Sequence, residues 1–539
     1  MRATAADDVD VIVDLREPGE GTSTPSRRTG AVVLAVAVLV PLLLFGWRAL
    51  QAPVNFDGAM NLQVAARLAD GDGYTRNYGD VEEFPHEVQT NGPYIYAAAM
   101  GIALLGHDQL GYQAANLLFV AGFAVTVALL LRARPRWLRA AGPVVVLLGV
   151  PSIGVYALGG LGEVPTTFFL FLAVLAIAAA LRSIERAPLW VLGASVAFGA
   201  ALATKTFAVG AAAALAVGVA AVLLTVPTRR TRVQVVLATA GVALVPAVRE
   251  LHKLVSLGSL GEYRAWWNVE RSAAADQSGL EDTGGSLFST FGDHLQELSR
   301  QVDFPAPLLA VVLFLPLAWV GLLVVARWRA DGLGPTLSDP HLAVLVMLAG
   351  LAGLYIAWWL CFLPESKLWV RRMLPGLFAL HVLYLFMVPG LVETVRARQR
   401  AVGIVAALGL AAVVVAAVPY GWARVDDNTR DLVDGEQPWL EADEDAATYI
   451  REHQDLRWYG DGWWSAPAVS LMARTDLRDL SEIDVETGPC DLDPDRDRLV
   501  WDLDARGVAG TPSTRDGTFV FTEVESYDGY VQIYAVGCG

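Results

Sequence analysis

The sequence predicts a mostly α-helical integral membrane protein with a small α/β domain at its C-terminal end. Three observations carry this. Hydrophobic residues fill 54% of the 539 positions and charged residues 18%, whereas soluble chains carry about 25% charged residues. The apolar residues gather into about eleven runs long enough to cross a bilayer core of about 30 Å. The negative charge is confined to one end. From Gly421 onward there are 27 acidic and 10 basic side chains, a balance of −17 against −16 for the whole chain.

The first 29 residues are polar and rich in Pro, Gly, Ser and Thr towards their end. They are expected to be a disordered tail. The first apolar run, 30–50, is too long for a cleaved signal peptide and stands too far from the start. Further spans are expected over about 110–131, 141–158, 164–181, 188–203, 206–226, 233–248, 306–326, 342–362, 373–390 and 401–420. A polar loop of about 51–109 separates the first two. The short loops "RARPRWLR", "RSIER", "TRRTR", "RWR" and "RARQR" are rich in arginine. An odd number of spans with the N-terminus inside puts all five on the cytoplasmic side. Both the 51–109 loop and the 421–539 segment then lie outside, in a multi-pass protein of the cell membrane.

Within 421–539, "LRWYGDG" reads as a strand and turn and "SAPAVSLMA" as a helix. "DRLVWDLD", "GTFVFTEV" and "YVQIYAVG" read as strands with alternating apolar residues. Their acidity argues against a nucleic-acid partner. Cys490 and Cys538 both fall in this segment, where an oxidising exterior makes a disulfide plausible. Cys361 falls in an apolar run and reads as a small core residue.

Ionisable groups at membrane depth are costly and point to function. Asp57 opens the first outer loop. Glu163 begins the span at 164, and Lys205 sits in the tight connection before 206. Arg249, Glu250, His252 and Lys253 end the span at 248. Glu365, Lys367, Arg371 and Arg372 join the spans on either side of them. All fall on the outer face. Each also has a plain role. Asp57 suits a helix N-cap, Glu163 a first helical turn, Lys205 a snorkelling anchor, and the arginine pair an interfacial anchor. "ADGDGY" holds an Asp-x-Asp, but its glycines suit a helix end and turn rather than a metal loop. There is no Cys/His cluster with zinc spacing, no phosphate-binding Walker loop and no Gly-x-Ser-x-Gly elbow.

Taken in order, the segments resemble the GT-C glycosyltransferases, the membrane transferases that include protein O-mannosyltransferases and lipid A aminoarabinose transferases. "FDGAMNLQVAARLADGDGY" resembles their first-loop signature, and "TNGPYIYAAAMGIALLG" their re-entrant helix. "AANLLFVAGFAVTVALLLRA", "GEVPTTFFLFLAVLAIAAALR", "GAALATKTFAVG" and "WVRRMLPGLFAL" resemble the second span, the acid-led fourth span, the lysine element and the late arginine element. The match runs over about 30–390, so 30–420 is expected to be a GT-C-like module.

The resemblance implies transfer of a sugar from a polyprenyl-phosphate donor to an extracytoplasmic hydroxyl of a cell-envelope glycan, lipid or protein, with inversion. It implies Asp57 as general base and Glu163 as a second acid near the acceptor or a metal. It implies Lys205 with Arg371 or Arg372 as holders of the donor phosphate. Gly58 stands where many members carry a second acid, so a divalent cation is possible but not implied. "YGDGWWSAPAVSLM", with Trp463 and Trp464, resembles the outer domain of some bacterial members. The aromatic pair suits either sugar contact or docking. A polytopic lipid or sugar transporter or flippase is the alternative. Its charges, however, belong near the bilayer midplane and not at one face.

Overall fold

The structure, a computed structural model, describes residues 27–51, 54, 56–76, 78–79, 83–85, 90–278, 287–396, 400–434, 438–461, 465–479, 492–502, 519–527 and 530–538. Most of the expected N-terminal tail, Trp463, Trp464 and Cys490 lie outside these residues.

The chain enters with α1 (Arg27–Ala49), followed by α2 (Phe56–Asp70) and the short apolar α3 (Pro93–Leu105) of the first loop. Then come α4 (Gln109–Leu130), α5 (Arg136–Leu148), α6 (Ile153–Leu158), α7 (Glu163–Arg182) and α8 (Ala187–Thr204). Next are α9 (Ala212–Thr225), α10 (Arg229–Ala238), α11 (Leu244–Ser256), α12 (Leu260–Ser278) and α13 (Leu287–Gln301). Last in the helical body are α14 (Ala306–Asp331), α15 (Leu333–Ser338), α16 (Pro340–Cys361), α17 (Leu374–Arg396), α18 (Arg400–Ala412) and α19 (Val418–Asp434).

Among the described residues, ten helical stretches are long and apolar enough to cross a membrane. They match the expected spans except for 141–158. That run is two helices, α5 and α6, separated at 149–152, where Ser152 takes a left-handed φ of 52°. Pro151 disfavours helix at the residue before it. A break at membrane depth leaves backbone groups needing partners, and Asn428 of α19 supplies them. Its Nδ2 donates to the carbonyls of Leu148 and Val150, both at 2.7 Å, and its Oδ1 accepts from the Ile153 N–H at 3.2 Å. The broken pair still returns across the bundle, because Gln113, near the start of α4, donates to the Leu158 carbonyl at 2.9 Å.

With that return, successive helices alternate ends. The arginine-rich connections fall at one end. Asp57, Glu163, Lys205, Arg371 and the C-terminal domain fall at the other. Aliphatic and aromatic side chains of α4, α7, α8, α16 and α17 form the main core.

The C-terminal domain begins with α20 (Pro438–Glu452). It continues through β1 (Arg457–Asp461), α21 (Ser465–Ala473), β2 (Arg478–Asp479), β3 (Asp497–Asp502), β4 (Phe519–Tyr527) and β5 (Val531–Cys538). The sheet order is β2-β1-β3-β5-β4. β2, β1 and β3 are parallel, and β5 runs antiparallel to β3 and β4. Trp458, Val500, Val531 and Ile533 face α20 and α21, while Tyr459, Leu499, Tyr534 and Val536 fill the other face. The period of two along each strand produces this division. The two-residue β2 carries too little pattern to be foreseen. Cys538 is disulfide-bonded and Cys361 is free.

This domain is built onto the first loop. Met60 and Tyr78 complete its core, and Ala468 and Leu471 of α21 pack beside Leu62 and Ala65 of α2. Tyr78 bridges to Leu477 in strand fashion. Gln63, 1% exposed, donates to the Pro467 carbonyl at 2.7 Å and accepts from the Tyr78 N–H at 3.1 Å. Gln63→Leu strands both backbone groups. It should lower stability by about 2 kcal/mol. The readouts are an earlier thermal transition in detergent and faster proteolytic release of the C-terminal domain. An unchanged midpoint and cleavage rate would show that this contact carries no docking energy.

Candidate active site

Four short segments meet where α2 begins. Asp57 lies inside the first turn of α2, one residue past its start. It is therefore not the preceding cap residue that its sequence context suggests. The partial positive charge of a helix N-terminus still favours its carboxylate. The neighbouring Gly58 lies against the turn Gly159–Gly160. A Cβ at position 58 would sit 1.6 Å from the Gly159 carbonyl oxygen. Only glycine permits this approach, so the second acid of the related pattern has no space here.

The same turn leads through Gly162, at a φ of 77°, into α7. Glu163 is the first residue of that helix and is 1% exposed. The Thr90 hydroxyl donates to the Leu161 carbonyl at 2.7 Å and fastens the turn to the first loop. Asn91 donates its N–H to the Thr204 carbonyl at 3.0 Å, which fastens that loop in turn to the end of α8. Lys205 follows directly, and its Nζ donates to Glu163 Oε1 at 2.8 Å. Arg371 comes from the short 3-10 turn Val370–Met373 that precedes α17. Its Nη1 donates to Asp57 Oδ2 at 2.5 Å.

The site thus holds two ion pairs, Asp57–Arg371 and Glu163–Lys205. Their side chains are 17% and 15%, and 2% and 7%, exposed. The groups are close enough to influence one another. Asp57 and Glu163 both act on Arg371, and Arg371 acts on Lys205. Arg372 adds a third cation beside them. The guanidinium carbons of Arg371 and Arg372 lie 4.7 and 4.9 Å from the centre of the Trp369 ring, a cation–π arrangement that orients both. The five residues to which the resemblance assigns roles, Asp57, Glu163, Lys205, Arg371 and Arg372, therefore converge.

Three neighbours escaped the sequence reading. The Tyr156 hydroxyl faces the backbone N–H of Arg371. Trp369 supports both arginines. Asn61, one helical turn after Asp57, donates from Nδ2 to the Gly160 carbonyl at 2.8 Å. Its four-residue spacing from Asp57 is the signal that marks it, since such residues share a helix face. Asn61 Oδ1 and Glu163 Oε2 are buried and accept no hydrogen bond among the described residues. Both are acceptors open to hydroxyl donors.

The residues present do not fit a bound divalent cation. Each carboxylate already carries a cation, position 58 has no room for a ligand, and no three His, Cys, Asp or Glu among the described residues are placed to hold a metal ion. Asp70 and Asp72 of "ADGDGY" pair separately. Asp70 meets His107 at 2.9 Å and Arg474 at 3.1 Å, and Asp72 meets Arg67 at 3.3 Å.

Arg249, Glu250, His252 and Lys253 build a second cluster. Lys253 is fully buried, with Nζ 3.3 Å from the centre of the Trp266 ring. Glu250 accepts from Lys253, Tyr263 and Trp267 at 3.3, 3.0 and 3.1 Å. His252 Nδ1 meets the Tyr96 hydroxyl at 2.6 Å. Burial raises the Tyr74 hydroxyl's pKa and keeps it a neutral donor to Asn91 Oδ1. The cluster thereby braces the loop that carries Asn91 to Thr204.

No family model matches the chain, and no curated protein matches it in sequence. Among solved structures, its fold is similar to that of ArnT from Cupriavidus metallidurans. The ArnT structure bound to undecaprenyl phosphate superposes over 95% of this chain and 98% of its own, at a TM-score of 0.55 and 14% identity. The apo structure superposes over 94% and 98%, at 0.51 and 13%. The shared architecture is therefore an ArnT-like fold, a bundle of apolar helices followed by a C-terminal domain.

Breaking a buried ion pair from one side leaves an uncompensated charge. Lys205→Met should destabilise the protein by about 3–5 kcal/mol. The double change Lys205→Met with Glu163→Gln should recover most of that loss. Thermal unfolding of the three proteins in one detergent checks both. Equal midpoints for Lys205→Met and wild type would show that the Glu163 carboxylate needs no partner.

Proposed function

We propose that the protein is a GT-C glycosyltransferase that moves a sugar from a polyprenyl-phosphate donor to an acceptor hydroxyl on the outer side of the membrane. The acceptor would be a cell-envelope glycan, lipid or protein. The observation that carries this reading is the pairing of Asp57 with Arg371 at the membrane face, within a fold like that of a protein crystallised with undecaprenyl phosphate.

In this reading Asp57 takes the proton of the acceptor hydroxyl as a general base. The acceptor oxygen bonds to the anomeric carbon from the side opposite the phosphate. The bond from that carbon to the phosphate oxygen breaks, and its electron pair leaves with the lipid phosphate. The stereochemistry inverts. Arg371, Arg372 and Lys205 stabilise the charge that grows on the leaving group. A planar guanidinium suits the phosphate oxygens. Glu163 fixes Lys205 and offers its second oxygen to a substrate hydroxyl. The sugar and the acceptor are left open, because no residue named here distinguishes a pentose from a hexose.

Asp57→Asn keeps the shape and removes the base. Transfer from a polyprenyl-phosphate sugar by the purified protein should fall by roughly 10²–10⁴-fold, with the thermal midpoint preserved. Transfer at the wild-type rate would dismiss Asp57 as the base.

The site end of the bundle is assigned to the outside on the strength of the arginine-rich connections at the other end. Ser526 is exposed on β4. In a Cys361→Ala background, Ser526→Cys should react with an impermeant maleimide on intact cells. Labelling only after lysis would reverse the orientation.

A further inference from the structure

At the site, the charges come in matched pairs. Asp57 is held by Arg371 at 2.5 Å and Glu163 by Lys205 at 2.8 Å. Arg372 adds a further positive charge beside them. Glu365 and Lys367, in the adjoining 3-10 turn, bring one charge of each sign. The five groups therefore sum to +1.

A polyprenyl-phosphate sugar is a phosphodiester and brings −1, which makes the loaded site neutral. Transfer moves charge without changing that sum. The acceptor proton goes to Asp57, which becomes neutral. The electron pair of the broken bond goes to the lipid phosphate, now a monoester whose charge approaches −2 near neutral pH. The negative charge leaves the partner that Arg371 holds and appears on the leaving group.

We propose that Arg371 is a shared counter-ion, passed from the Asp57 carboxylate to the departing phosphate during transfer. This rests on the donor class inferred above. It goes beyond a phosphate contact, because it makes one guanidinium serve base and leaving group in turn.

The geometry suits such an exchange. Only one Nη of Arg371 is engaged on Asp57, while a guanidinium carries five N–H donors in one plane. The Trp369 ring supports that plane from one side, so the group can pivot with its stacking kept. Arg371 belongs to a short 3-10 turn and not to a regular helix. Lys205 lacks these freedoms. It is a single ammonium, 7% exposed, fixed on a carboxylate that is 2% exposed.

The exchange also orders the reaction. A carboxylate engaged by a guanidinium accepts a proton less readily. The unloaded enzyme therefore keeps its base idle. The donor phosphate competes for Arg371 and releases the carboxylate when a sugar is in place to react.

Competition predicts a thermodynamic signature in binding of the product lipid. Undecaprenyl phosphate is titrated into detergent-purified wild type, Asp57→Asn, Arg371→Gln and the double variant. Removing the competing carboxylate should tighten binding by about tenfold in an otherwise wild-type protein. In the Arg371→Gln background the same change should alter it by less than about twofold, a coupling of the size that close charge pairs show. Should Arg371→Gln lack a thermal transition, Arg371→Lys supplies the second background. There the gain should shrink but persist, since a cation remains.

Unchanged or weaker binding by Asp57→Asn would overturn the exchange. So would a tenfold gain that survives in Arg371→Gln, because that gain would come from relief of general repulsion. Failure of the wild type and every variant to bind undecaprenyl phosphate would overturn the donor class itself, and the exchange with it.

Discussion

The contact between Asp57 and Arg371 joins residues 314 positions apart, and the site end of the molecule is organised around it. It ties the start of α2 to the turn before α17. The turn Gly159–Gly160 is pressed against α2 by its contact with Gly58, and that turn aims Glu163 at Lys205. The C-terminal domain in turn stands on α2 through Gln63, Met60 and Leu62. A shift of α2 would thus move Asp57, the second ion pair and the floor of the C-terminal domain together. A helix with nearly every residue from Gly58 to Ala66 buried has little freedom for such a shift.

Buried ionisable groups are poor material for stability. A buried pair repays its desolvation only with good geometry, and apolar replacements are often as stable or more so. Two such pairs side by side, with a third cation next to them, therefore point to chemistry as the reason for their presence. The 249–253 cluster makes a useful contrast. There the rings of Trp266 and Trp267 close over Lys253, Glu250 collects three donors, and the arrangement braces a loop. The two sites differ in the group each leaves over among the described residues: the first keeps acceptor oxygens on Asn61 and Glu163 without partners, the second a donor, Arg249 Nε.

The helical body was legible because two one-dimensional signals agreed. Apolar runs of span length alternate with loops, and every second loop is rich in arginine. The same reading placed Asp57, Glu163, Lys205 and the arginine pair on one face, and they do converge there. What escaped depends on contacts between distant segments. The run at 141–158 stays apolar through its break, and only Pro151 hints at it. Asn428, which satisfies the broken backbone, lies about 280 residues away. Asp57 has the composition of a helix cap but stands one residue inside the helix. Which cation pairs with which carboxylate has no trace in spacing, because it is set by how α2 meets the turn before α17.

Gly58 connects the backbone to the chemistry. A second acid at that position would add negative charge next to Asp57 and call for a metal ion to balance it. The Gly159 carbonyl oxygen occupies the space that its Cβ would need, so the backbone excludes that arrangement before electrostatics enters. A phosphate arriving at such a site must be neutralised by side chains. The three cations and two carboxylates named here carry a formal sum of +1, equal and opposite to the charge of a phosphodiester. Close packing of glycine on glycine and the positive formal charge of the site therefore answer the same constraint. Where the backbone leaves no room for a metal-binding acid, the proposed transfer leaves the guanidinium beside Asp57 to serve the leaving group as well.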